Sequence, residues 1–195
     1  MCSQAREAAL AMLRQDKNAS LLKDGEIPFL LEAAFALGEK QAAACLSLRG
    51  EAEALSALLE RLYRQEGIAL RQGELKLPGY RVRAVYSHSP PAVTVDRQEI
   101  LDLQKEIQGL CLQKGLEPWS LAREMVLAHE LYHYYERQDP GLDARSLWGQ
   151  NKLFGRRYLR SLSEIAAHRF SQILLQIPFY PGELDFPDEG GSNYV

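Results

Sequence analysis

The sequence predicts an α+β protein, mostly helical, with a small antiparallel sheet packed on one strongly apolar helix. Three observations carry this. Ala, Leu, Glu, Gln and Arg, all strong helix formers, dominate residues 4–66. Val, Tyr and Thr concentrate once, around a Ser/Pro turn in residues 80–96. Helical spacing of apolar residues then resumes and holds, with one loop, to about residue 176. At 195 residues, 46% hydrophobic and 25% charged, the chain can bury the core of one globular domain with an appendage.

Taken in order, the breaks at "KNAS", "KDGEIP" and "LRGE" divide residues 4–66 into about three helices joined by short turns. The stretch "YRVRAVYSHSPPAVTVD" (80–96) reads as two strands of a hairpin with its prolines confined to the loop. It is the one convincing strand pair. From Arg97 to about Gln113, Ile100, Leu103, Ile107 and Leu110 recur at helical spacing, and "KGLEP" closes that element. A second helix begins near Ser120. Leu121, Met125, Ala128, Tyr132 and Tyr135 form one apolar stripe on it, and Leu127, Leu131 and Tyr134 a second, so it is apolar around much of its circumference and reads as central. A loop containing "DPGLDARS" leads to a last helix over roughly 158–176, stopped by Ile177-Pro178, and "GELDFPDEGGSNYV" reads as a poorly ordered tail.

Composition removes several function classes. A net charge of -3 gives no concentrated basic surface for nucleic acid, and Arg156-Arg157 is too small a cluster to supply one. The first twenty residues lack an uninterrupted apolar core of a signal sequence, and no later run approaches a membrane span, so the expectation is a cytoplasmic protein with no membrane partner. Cys2, Cys45 and Cys111 are too few and too scattered for a disulfide framework or a thiolate metal site.

Chemistry concentrates in "LAHELYHYYE" (127–136). Polar side chains in such apolar company cost roughly 1–3 kcal/mol each unless something satisfies them. Positions four apart share a helix face with Cβ atoms about 5–6 Å apart, so His129 and His133 can reach one ion at a zinc–nitrogen distance of about 2.0–2.1 Å. Glu130, rotated about a quarter turn from that pair, is placed to hold a water at the zinc and to take its proton. The alternative is a His pair and a charge on a solvated strip. Catalytic zinc keeps three protein ligands. A metzincin continuation needs Gly at 136 and His at 139, where this chain has Glu136 and Asp139. Downstream, "SEIAAHRFSQILL" offers Glu164 with His168 one turn later, similar to the E-x-x-x-D arrangement of gluzincins, in which the carboxylate binds zinc and the residue four on orients a ligand. Two bland readings compete: Ser161 and Glu164 fit a capping box, and both Glu164 and His168 lie opposite the stripe Leu159, Leu162, Ala166, Phe170, Ile173, where they would face water.

The order "EALSALLERLYRQEGIAL", a strand pair, "AREMVLAHELYHYYE" and "SEIAAHRFSQILLQIP" resembles the ImmA/IrrE family of small gluzincins, or minigluzincins, whose last motif typically reads E-x-x-A-N-x-F-A before Leu-Leu-x-P. Glu164, Ala167, Phe170 and Pro178 fit; His168 stands in place of Asn and Ser171 in place of Ala. The resemblance covers roughly residues 52–180 and is specific at the two helices. It implies a zincin-like domain over 51–180, preceded by a helical extension (1–50) and followed by a tail (181–195), with 97–118 as an insertion. It also implies a cytoplasmic zinc endopeptidase acting on a protein substrate, often a helix-turn-helix repressor. In that scheme His129, His133 and Glu164 hold Zn2+, Glu130 is the general base, His168 supports a ligand, and Tyr158, or else Tyr86 or His88, steadies the oxyanion. A substrate would lie as an added strand on the hairpin edge. The competing expectation is a zinc-containing regulatory or binding module that cleaves nothing.

Overall fold

The computed structural model describes residues 3–75, 82–114, 116–152 and 155–185. Its helices are α1 (Ser3–Gln15), α2 (Ile27–Ser47), α3 (Leu55–Gln65), α4 (Arg97–Lys114), α5 (Pro118–Gln138) and α6 (Ser161–Leu174). Its strands are β1 (Ala69–Gly73), β2 (Ala84–His88), β3 (Pro91–Asp96), β4 (Gly149–Lys152) and β5 (Gly155–Tyr158). The α+β class holds. The sheet departs from expectation: it is mixed, ordered β1-β3-β2, with β2 antiparallel and β1 parallel to the central β3. Strand β1 escapes sequence reading because "ALRQG" has no apolar alternation, and its residues are exposed or half-buried, as befits an edge. A second antiparallel pair, β4 with β5, lies where the sequence predicts a loop. Pro91 opens β3 instead of lying in the turn, a position where its missing N–H is tolerated. No helix among the described residues is long and apolar enough to cross a membrane.

The chain divides into two compact units, and the division falls inside α5, after Leu131. One unit runs from Leu48 to Leu131. In it α3 ends in a Schellman turn: Gly67 takes a φ of +67°, and the Ile68 and Gly67 N–H groups donate to Tyr63 and Arg64 carbonyls. That turn delivers the chain directly into β1. Asp96 ends β3 and starts α4, its Oδ1 accepting from the N–H groups of Gln98 and Glu99 at 2.8 and 3.1 Å and its Oδ2 from Leu75 N–H at 2.6 Å. Arg61 forks onto Glu53, Nε and Nη2 each donating over 2.8 Å, and ties the segment before α3 to the helix. Helix α5 begins with Pro118 at its first position, where no N–H is needed, while the Glu117 carboxylate accepts from Ser120 N–H at 2.7 Å. Tyr63, fully buried, donates to the Leu127 carbonyl over 2.7 Å.

The other unit joins residues 3–47 to 132–185 in space, so the N-terminal helices share a core with α6. Helix α2 packs closely on α6, and Gly38 makes this possible: a Cβ there would lie 2.4 Å from the Ala166 carbonyl oxygen. Ala34, Phe35 and Ala42 on α2 and Leu162, Ala166 and Phe170 on α6 are fully buried around it. The Arg169 guanidinium pairs with Glu39 at the rim of this contact. Helix α6 ends at Leu174 with Leu175 as its cap, and Gln176, with a φ of 53°, lets the Ile177 and Gln176 N–H groups return to Gln172 and Ile173 carbonyls. Pro178 follows, as expected. Residues 181–185 then form a 3-10 turn, held by Tyr180, whose buried hydroxyl donates to the Ile165 carbonyl. Residues 182–185, expected to be poorly ordered, are therefore structured; residues 186–195 lie outside the described residues.

Candidate metal centre

Helix α5 is apolar on the faces the sequence indicated. Leu121, Ala122, Met125, Leu127, Ala128, Leu131 and Tyr132 are all buried, while His129, Glu130 and His133 form a partly exposed strip. The two histidines are four positions apart, which brings both imidazoles to the same side of one continuous helix. His129, His133 and Glu164 each offer a ligand atom, and these atoms lie within 4.8 Å of one another.

His133 Nε2 lies 3.5 Å from Glu164 Oε2. Two zinc bonds of about 2.0–2.1 Å could span that separation, so one ion could be held by both atoms. The Glu164 side chain is 47% exposed, so its carboxylate reaches the locus from the solvent side. Two imidazoles and a carboxylate are the donor set of open catalytic zinc sites, so the residues present fit the metal.

The other edge of His133 is buried in polar contacts. Its Nδ1 lies 3.2 Å from Ser163 Oγ and 3.5 Å from Glu136 Oε2. Ser163 donates to Glu136 Oε2 over 2.6 Å, and the Ala144 N–H donates to Oε1 over 3.1 Å. Burial pushes the Glu136 carboxyl up, but the hydrogen bonds from His133 and Ser163, with the positive fields of His133 and Arg145, hold it below the ordinary carboxylate range. Glu136 is thus a buried anion, 4% exposed, with partners on three sides. In the sequence Glu136 stands out only as a departure from the metzincin pattern, and no motif marks Ser163. The available signal was position: Glu136 follows His133 by three residues on one helix face, and Ser163 directly precedes Glu164.

The other expected residues are placed as follows. Glu164 is not part of a capping box, because α6 starts one residue earlier than that motif requires: Arg160 occupies the cap position, its own side chain makes no cap hydrogen bond, and Ser161 Oγ is buried with no hydrogen-bond partner among the described residues. The acceptor for Ser161 N–H is Asp16 Oδ2, at 3.0 Å, from the segment after α1. Nearby, Asn18 Nδ2 donates to the Tyr158 carbonyl over 2.7 Å. His168 does not face water; it is 8% exposed, with its ring 5.8 Å from that of Tyr180. Tyr158 ends β5 with its side chain partly exposed. Tyr86 and His88 lie on β2, their rings 4.8 Å apart and perpendicular. No protein-family model, curated protein or solved structure matches the chain.

Proposed function

We propose that this protein is a zinc-dependent endopeptidase of gluzincin type, related to the ImmA/IrrE minigluzincins, acting on a protein substrate. What supports it is the convergence of His129, His133 and Glu164, three side chains from two helices, on one ion-sized locus with Glu130 beside the first of them. Zinc held by these three would polarise a scissile carbonyl and lower the pKa of its water to about 7. Glu130, one residue and about 100° of helix rotation from His129, accepts the proton of the attacking water and passes it to the leaving amine. His133 and Glu164 fix the locus from two different helices, so the relation of α5 to α6 sets its shape. Tyr158 is the proposed donor to the developing oxyanion, with Tyr86 and His88 as alternatives, and His168 supports the α6 side of the site. A helix-turn-helix repressor is the substrate class that kinship with the ImmA/IrrE family indicates, met in the cytoplasm.

The decisive variant is Glu130→Gln. It is expected to retain about one zinc per chain and to lower peptide cleavage by about 10²–10⁴-fold, the usual contribution of a general base. Substrate binding survives in that variant. Equal cleavage by wild type and Glu130→Gln would refute the mechanism, and a wild-type chain that binds zinc and a partner without cutting it would make this a regulatory module.

A further inference from the structure

We infer that Ser163 and Glu136 are positioning residues that fix the tautomer of His133, so that its Nε2 presents a bare lone pair on the side where Glu164 lies. A serine hydroxyl carries one proton, and the 2.6 Å contact to the Glu136 carboxylate, a charge-assisted bond to an acceptor-only group, commits that proton. Ser163 Oγ can then meet His133 Nδ1, 3.2 Å away, only as an acceptor, which requires the ring proton on Nδ1. Glu136 Oε2 and Glu164 Oε2 both lie 3.5 Å from the ring, at Nδ1 and Nε2 respectively, so the shorter Ser163 contact is what distinguishes the two edges. A neutral imidazole has one N–H, so Nε2 is left unprotonated, 3.5 Å from Glu164 Oε2.

The relay is held from behind. Glu136 is 4% exposed and its Oε1 is occupied by the Ala144 N–H, so the carboxylate cannot swing away to water. On α6 the acceptor hydroxyl and the carboxylate ligand are consecutive residues, Ser163 and Glu164, so one helix register sets both the proton and the ligand on the two edges of the same ring. The order is His133 Nδ1–H to Ser163 Oγ–H to Glu136.

The purpose of this device rests on the metal reading, but its existence can be tested without metal. In the metal-free protein with 15N-labelled histidine, at alkaline pH where the ring is neutral, ring nitrogen shifts should report the Nδ1–H form for wild-type His133. Ser163→Ala, which removes the relay, and Glu136→Gln, which replaces an acceptor-only group by one that can also donate while keeping an acceptor for Ala144, should both move it toward the Nε2–H form. Ser163→Thr should restore it. Zn2+ affinity should fall about 10–100-fold in Ser163→Ala and recover in Ser163→Thr. A wild-type ring protonated on Nε2, or a tautomer unmoved in both variants, would overturn the inference. An Nδ1–H ring in a wild-type chain that takes up no Zn2+ would uphold the relay and overturn the peptidase reading instead.

Discussion

Glu164 illustrates how one residue type can carry two roles in sequence and one in structure. Read along the chain it fits a helix cap as well as a ligand; in space its carboxylate meets His133 and the helix start is served by Asp16. Glu164→Ala is therefore expected to change stability by no more than about 0.5 kcal/mol, below the usual loss of a cap, while zinc affinity drops. Calorimetric unfolding beside zinc titration checks both, and His129→Ala or His133→Ala should abolish stoichiometric zinc. Glu53 offers a residue-scale test of a different kind. Its hydrogen bond from Arg61, then that from Gly50, holds its carboxyl at about 2, below the ordinary 4.5. A depressed value means the contact stabilises fully above about 4.5 and is lost as pH falls toward 2, so the Glu53 carboxyl carbon should titrate by NMR with a midpoint near 2. The midpoint should rise in high salt or in Arg61→Met.

At the scale of elements, the contact between α2 and α6 is set by absence of a side chain. Because a Cβ at Gly38 would strike the Ala166 carbonyl oxygen and the Phe170 nitrogen, both backbone atoms, the clash cannot be relieved by a rotamer change. Gly38→Ala is expected to destabilise by about 1–3 kcal/mol, the range for overpacking, despite alanine's better helix propensity. A denaturant midpoint that rose instead would mean the helices separate easily. Legibility followed periodicity at this scale. α4 and the end of α6 could be read because apolar spacing and Pro178 mark them. β1 could not, since an edge strand exposed on both faces carries no alternation.

For the whole molecule the consequence is that residues 3–47 cannot be a dispensable appendage. They share a compact unit with 132–185, and Asp16 and Asn18 hold the two residues that bracket the start of α6. Removing residues 1–47 should expose the buried faces of Leu162, Ala166 and Phe170, abolish cooperative unfolding of that unit and remove zinc binding through loss of a fixed Glu164. Circular dichroism melting and metal analysis of the truncated chain would show it; a stable, zinc-loaded fragment would contradict the packing.

The sequence by itself determined the helices, the hairpin and the pairing of His129 with His133, because these depend on spacing within a few residues, where helical and strand periods act directly. It also placed Glu164 as the third candidate ligand. What only tertiary structure decided were relations over long separations. Among these are the parallel pairing of β1 with β3, the capping of α6 by Asp16 from 145 residues away, and the burial of Glu136 where Ser163 and Ala144 meet it. No local period encodes such contacts. They form because buried polar groups must find partners, and which partners are near is settled by how helices pack.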